Sequence, residues 1–171
     1  MKRVCLLLCC ALILQILSGC GKKDDDFELP VNFYYSNKEI AYNSQTGVIQ
    51  AEKREGQSFH GNVTALLHAY LLGPHSDELY SPIPKDVYLV SCQIENDAAY
   101  IVLSAQFSKL SGIGLTTGCS AILMTLHDYA GVNDLVIRAK DSQLDGKDTL
   151  ELSTDSIVLI DTVSNEQSEL E

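Results

Sequence analysis

Four histidines, Cys92, Cys119 and 23 acidic residues are the groups through which this chain could do chemistry. A zinc site on one helix needs imidazoles four residues apart, on one face. His60, His68 and His75 are eight and seven apart, with Gly73-Pro74 before the last, so no such pair forms and no metal site is expected. His127-Asp128 has the order of a base and its orienting acid. It falls at a predicted helix end, however, where the macrodipole favours a cationic imidazole, and a capping or surface role is the simpler assignment. Gly112-Ile113-Gly114 lacks the third glycine of a dinucleotide fingerprint, and the sequence holds neither a Gly-x-Ser-x-Gly elbow nor a P-loop. Asp24-Asp25-Asp26 could gather a cation, yet its simpler effect is to hydrate the segment that carries it. Paired carboxylates at glycosidase separation would mark a cell-wall hydrolase, but no spacing singles out such a pair. The reading is therefore of a non-enzyme with no cofactor.

A different chemistry is written at the N-terminus. Lys2 and Arg3 precede an uncharged run from Val4 to Leu17, and Leu17-Ser18-Gly19-Cys20 closes it. A basic start, a short apolar stretch and small residues before a cleavage point are the parts of a secretory signal peptide. The run of about 14 residues is shorter than the roughly 20 that a membrane span needs. A cysteine in this position looks like the lipobox of bacterial lipoproteins, where the thiol receives a diacylglyceryl group and becomes the new N-terminus. Residues 1–19 are thus expected to be removed, with Cys20 lipidated and residues 20–30 forming a polar tether. Double acylation holds a protein stably where one chain does not. The expected location is the extracytoplasmic face of the cell membrane.

Removing Lys2 and Arg3 leaves 10 basic against 23 acidic residues, a net charge of −13. Such a surface is repelled by nucleic acid and by anionic headgroups. No nucleic-acid partner is expected. The mature chain has the length of one domain, placed at residues 31–162, followed by an acidic tail at 163–171 read as disordered.

Within the domain, Val31, Phe33 and Tyr35 alternate on one side of a first strand. Tyr42 and Val48 to Lys53 read as further extended pieces, joined through Thr46-Gly47. Asn62 is placed to cap a helix carrying Val63, Leu66, Leu67, Tyr70 and Leu71 on one stripe, which Gly73-Pro74 ends. Ser81-Pro82-Ile83-Pro84 is an extended connector. A turn at Asn96-Asp97 folds Val87–Ser104 into a hairpin. Ile94 then faces Ala99, Cys92 faces Ile101 and Val90 faces Leu103 on an apolar side. Leu89 with Ser104, Ser91 with Val102 and Gln93 with Tyr100 form the other side. A second helix is predicted over 117–129, with Cys119, Ile122, Leu123, Leu126 and Ala130 on its stripe and Gly131 as its stop. Leu135, Ile137 and Ala139 alternate on another strand, Asp145-Gly146 turns into Thr149–Leu152, and Ile157–Ile160 offers an edge piece.

This order predicts a two-layer α+β domain, with two helices on one face of a small mixed sheet. The other sheet face is expected to be partly exposed and to form an interaction surface from Asn32, Tyr34, Leu89, Gln93, Tyr100, Val102, Val136 and Arg138. Cys92 and Cys119 both point to the core. They either bridge, closing 26 intervening residues for about 3 kcal/mol in the chain-entropy model, or pack as free thiols.

The succession Leu66-Leu67, Leu72-Gly73-Pro74, Ser81-Pro82-Ile83-Pro84, Ile101-Val102-Leu103-Ser104, Leu123-Met124-Thr125-Leu126 and Val136-Ile137 resembles the GerMN domain of sporulation and spore-germination lipoproteins, over about residues 31–146. The resemblance implies a fold similar to the ring-building motif of secretion and sporulation-channel proteins, no catalytic residues, and a Gram-positive spore-forming source. It implies a single module where the best-known members carry two. The expected function is a lipid-anchored interaction module within an envelope or sporulation assembly, with an envelope protein as partner and oligomers possible. The alternative is a binding lipoprotein for a small molecule or cell-wall fragment, for which a pocket of Tyr70, Tyr80 and Tyr88 would be the sign.

Overall fold

The computed structural model describes residues 30–38, 48–55 and 59–157. The expected signal peptide, Cys20, the tether up to residue 29, Tyr42, Thr46-Gly47, residues 158–160 and the acidic tail lie outside them. Strands β1 (Val31–Asn37) and β2 (Ile49–Arg54) pair antiparallel, and β3 (Leu79–Tyr80) joins the other edge of β1. Helix α1 (Val63–Leu71) precedes β3. The hairpin β4 (Leu89–Glu95) and β5 (Ala98–Leu103) is followed by a 3-10 turn at Ala105–Lys109, helix α2 (Gly112–Ala130), β6 (Asp134–Ala139) and β7 (Leu150–Ser153). The α+β class is as expected. The strands divide between two sheets, an antiparallel β2-β1-β3 and a mixed β4-β5-β6-β7 in which only β5 and β6 run parallel.

The local signals act as their chemistry requires. Asn62 Oδ1 accepts from the Ala65 N–H at 3.0 Å, capping α1, and Leu66, Leu67 and Tyr70 are its buried stripe. Val31, Phe33 and Tyr35 are buried. Asn96 takes φ 58° in the hairpin turn, and the pairs Ile94 with Ala99, Cys92 with Ile101, Ser91 with Val102 and Gln93 with Tyr100 hold the expected register. That register shifts between Leu89 and Ser91, where Val90 bulges out and Leu89 pairs with Leu103. The bulge turns Leu89 into the core, at 8% exposure, and leaves Val90 outside.

Helix α2 begins five residues earlier than its periodicity predicts. Its first turn is Gly112-Ile113-Gly114-Leu115, where two poor helix formers hide the start. The carboxylate of Asp145 accepts from the Gly112 N–H at 2.8 Å, so the cap comes from the β6–β7 connection and not from the preceding residue. At the other end Gly131 takes φ 68°, the left-handed stop that its type allows. Ala130 is exposed, off the apolar stripe.

Two flanks of α2 are buried, because it packs against β1 and also against β6 and β7. Leu115, Cys119, Ile122, Leu123 and Leu126 enter the core. Thr125 Oγ1 accepts from the Tyr34 N–H at 3.0 Å while donating to Ala121 O. Gly118 lets the Pro82-Ile83-Pro84 connector approach: a Cβ there would lie 2.9 Å from Ile83 Cδ1 and 3.4 Å from Leu110 Cδ1. Ile157, the first residue of the expected last edge piece, follows a 3-10 turn and is not a strand.

One charge sits inside this apolar frame. Arg54, at the end of β2, is 7% exposed. Its Nε donates to Glu52 Oε1 at 2.5 Å, and its Nη2 donates to Gly73 O at 2.8 Å and to the Tyr35 hydroxyl at 3.2 Å. Its guanidinium lies 4.4 Å from the Phe33 ring centroid. Glu52 Oε2 accepts from the backbone N–H groups of His75 and Ser76, both at 2.8 Å. Burial acts to raise the Glu52 pKa, but Ser76, Arg54 and His75 together outweigh it and lower the carboxyl from its ordinary 4.5. The pair therefore ties β2 and β1 to the turn after α1.

Removing one partner of such a buried pair costs about 3–5 kcal/mol, and Arg54→Met is expected to lower the urea midpoint accordingly. Because the folded Glu52 carboxyl is depressed, its contribution is complete above the unfolded value and is lost as pH falls through the folded one. Glu52→Gln should therefore be clearly less stable than wild type at pH 7 and converge with it toward pH 3; parallel urea curves at both pH values would refute this. At Gly118, Ala is expected to be nearly neutral, since the Ile83 tip can move and Ala gains up to about 1 kcal/mol of helix propensity. Gly118→Leu should cost about 1–3 kcal/mol by overpacking, read as a lowered Tm.

Candidate functional site

Among the described residues, the four-stranded sheet is covered on one side only. Ala99, Ile101, Leu103, Leu135, Ile137 and Ala139 of β5 and β6 face the core, with α1 against β4 and α2 against β6 and β7. The alternate residues form the open side, and the register arranges them in rows. Gln93, Tyr100, Val136 and Glu151 lie opposite one another across β4 to β7. Ser91, Val102 and Arg138 form the row on one side of it, and Glu95, Ala98, Asp134 and Ser153 the row on the other. Tyr100 is 42% exposed at the centre of this surface. Val102 and Val136 are half-buried beside it, and Gln93 and Arg138 are exposed.

Five members of the expected surface, Gln93, Tyr100, Val102, Val136 and Arg138, are thus brought together. Three are not. Leu89 is in the core for the reason given by the bulge. Asn32 and Tyr34 belong to β1, in the other sheet, where Asp128 holds them. Asp128 Oδ2 accepts from the Tyr34 hydroxyl at 2.7 Å and from Asn32 Nδ2 at 3.1 Å, and the Tyr34 pKa is pushed up to about 12 by burial and by this carboxylate. These bonds fasten β1 to the end of α2. Their partners are 94 and 96 residues apart, beyond any local sequence signal.

His127 and Asp128 diverge. The His127 ring Nδ1 is 3.0 Å from Val132 O and closes the helix end, while Asp128 turns to β1. A capping role for the histidine matches the simpler expectation. His75 gives only its backbone N–H, to Glu52, and among the described residues no group of three His, Cys, Asp or Glu side chains is gathered for a metal. Tyr70 is fully buried and stacked on Tyr35 at 4.9 Å, so it does not line a pocket with the exposed Tyr80 and Tyr88. A shallow groove of about 390 Å³ lies between α2 and β7, lined by Thr116, Lys147, Thr149, Leu150, Glu151 and Leu152.

Cys92 and Cys119 are free thiols in this structure, Cys92 half-buried and Cys119 buried. Burial raises both, with Cys119 pushed up to about 12. A thiol in that state is packing material and a poor nucleophile.

These features define an α+β module with one helix-covered and one open sheet face. The family model for sporulation and spore germination, Germane, matches residues 32–145, and the chain belongs to that family. The first GerMN domain of the sporulation protein GerM from Bacillus subtilis is similar over 74% of this chain and 98% of that one, at 13% identity and a TM-score of 0.56. The tandem GerMN domains of the same protein match 80% of this chain and 49% of theirs, at 17% identity and a TM-score of 0.52. The chain thus spans about half of the tandem protein. A candidate lipoprotein from Clostridium perfringens matches 75% of this chain and 89% of that one, at 19% identity and a TM-score of 0.46. At these identities the likeness is one of fold. No curated protein matches the chain by sequence.

Buried thiols are expected to resist iodoacetamide in native protein at pH 8, Cys119 completely, and both to label once the chain is denatured without reductant. Absence of label in denaturant, recovered by adding reductant, would establish the Cys92–Cys119 bridge instead.

Proposed function

We propose that the mature chain is a non-catalytic, lipid-anchored interaction module on the extracytoplasmic face of the cell membrane, tethered through Cys20 and contributing its open sheet face to an envelope or sporulation assembly. The observation that carries this reading is the open side of β4 to β7. There an aromatic ring, 42% exposed, is set between two half-buried valines, with polar and charged residues around them. An apolar centre with a polar rim is the anatomy of a protein contact surface. Membership of the sporulation and germination family supports the setting, and the Leu17-Ser18-Gly19-Cys20 motif supports the anchor. Residues 20–30 act as the leash and 163–171 as a solvated acidic tail. The side chains of His127 and Asp128, the one base-and-acid pair that the sequence offers, are engaged in holding the helix end and β1.

The capture of a small molecule or cell-wall fragment is not adopted, since Tyr70, on which such a pocket depended, is a core residue.

The anchor is tested by Cys20→Ser. Wild type is expected in the membrane fraction and to incorporate an alkyne fatty acid, and the variant to lose that label; equal labelling of both would remove the anchor. The surface is tested by a photo-crosslinking amino acid in place of Tyr100 in cells. Adducts with envelope proteins are expected, and their loss in a Val136→Glu background. No adduct at Tyr100 would overturn the assignment of this face.

A further inference from the structure

The open face is electrically polarised along its strands, and its two ends complement each other. Glu95 and Asp134 share the row at the end of the hairpin turn, the uncharged Tyr100, Val136 and Gln93 occupy the middle row with Glu151 at its β7 edge, and Arg138 lies in the row beyond. Lys140, in the turn that follows β6, is exposed. Among the described residues, the side chains of Glu95, Asp134, Arg138 and Glu151 have no ion pair or hydrogen bond. The charges on this surface are therefore unpaired within the molecule, unlike Lys109 and Asp86 or Arg54 and Glu52.

We infer that this face pairs with the same face of a second copy, in a two-fold arrangement whose axis runs across the strands through the row of Tyr100 and Val136. This rests on the reading of the open sheet face as an interaction surface and names its partner. Rotation about that axis reverses the strand direction and keeps each strand opposite itself. Asp134 of one copy then meets Arg138 of the other, twice by symmetry. Tyr100 meets Tyr100, and Val136 meets Val136, on the axis. A two-fold interface requires such self-complementarity, residue i meeting j where j meets i, and sheets packing face to face with nearly aligned strands are an ordinary layer geometry. Glu151 ends the axial row at the β7 edge and so meets its own copy; it is exposed at the solvated rim, where water and salt screen that repulsion.

The area fits a contact that depends on concentration. Strands about 4.8 Å apart rising about 3.3 Å per residue give a face on the order of 400 Å². Two copies bury on the order of 800 Å², below the roughly 1,200–2,000 Å² of a stable complex. A weak pair of this kind becomes populated when both copies are confined, as tethering to one surface does.

The test uses the full chain, produced in cells and carrying a photo-crosslinking residue at Tyr100. Wild type is expected to give an adduct of twice the chain mass. Arg138→Glu alone and Asp134→Arg alone should each lower that adduct about tenfold, since each sets like charges opposite one another at two places. Expressed together with different tags, the two variants should recover a mixed adduct, because Glu at 138 of one meets Arg at 134 of the other while the remaining pair is native. Both substitutions are at exposed positions, and unchanged thermal melts verify the fold. Failure of the mixed adduct to recover would overturn the two-fold arrangement. Adducts at Tyr100 with other proteins only would overturn self-pairing and leave the surface reading standing, whereas no adduct of any kind would remove both.

Discussion

The buried pair of Arg54 and Glu52 is the constraint on which the rest of the three-stranded sheet depends. A guanidinium at 7% exposure survives only if its donors are used and its charge is met. Here Glu52, Gly73 O and the Tyr35 hydroxyl take three of its five donors, and the faces of Phe33 and Tyr35 lie beside the plane. Those partners come from β2 itself, from β1 and from the turn after α1, so satisfying the charge fixes where the three pieces go. Gly73, whose φ of 90° suits a residue without Cβ, presents its carbonyl to Arg54. The two N–H groups that follow Pro74 then reach the other Glu52 oxygen. The Gly-Pro element that ends α1 in the sequence is thus also the receptor for β2. The geometry accounts for the element in terms of charge as well as helix termination.

Helix α2 applies a second constraint of a different kind. It is the element shared by the two sheets, touching β1 on one flank and β6 and β7 on another. A helix used on two flanks cannot be amphipathic in the simple sense, and small or hydroxylated residues mark the closest approaches. Gly118 admits the tip of Ile83, and Thr125 answers the edge N–H of Tyr34. The Pro-Ile-Pro connector is stiff, so Ile83 is delivered to α2 at low conformational cost. The bonds from Asp128 to Tyr34 and Asn32 close the same contact from the helix end.

Wherever a signal was local, the amino-acid order displayed it. The cap at Asn62, the stop at Gly131, the turn at Asn96 and the alternation of β1, β5 and β6 depend on neighbours within a few residues, and all are where the pattern puts them. The departures arise from distant contacts. The start of α2 was hidden because its cap, Asp145, lies 33 residues downstream. A regular hairpin puts Leu89 on the open face, and nothing in Val90 itself announces a bulge. Strand parity alone puts Tyr34 with Tyr100, whereas the two lie in different sheets. Parity gives a residue's side within its own sheet, but not which sheet the strand enters. Arg54 carried no signal at all, since a basic residue at the end of a strand ordinarily points to water.

The open face follows from how the apolar surface is shared out. Two helices and a 3-10 turn cover one side of a four-stranded sheet, and α2 also serves β1, leaving no described helix for the second side. The alternation of β5 and β6 agrees with this division: Ala99, Ile101 and Leu103 inward, Tyr100 and Val102 outward, then Leu135, Ile137 and Ala139 inward against Val136 and Arg138 outward. A face meant only for water would tolerate Thr, Ser or Lys at every outward position at little cost. Tyr100, Val102 and Val136 instead form a contiguous apolar centre on the two inner strands, and charge is kept to the rows at either end and to Glu151 on the edge strand. Placing apolar area where four strands hold it rigid costs nothing further in ordering when a partner arrives. That is why this surface, and not the shallow groove beside Lys147, carries the functional reading.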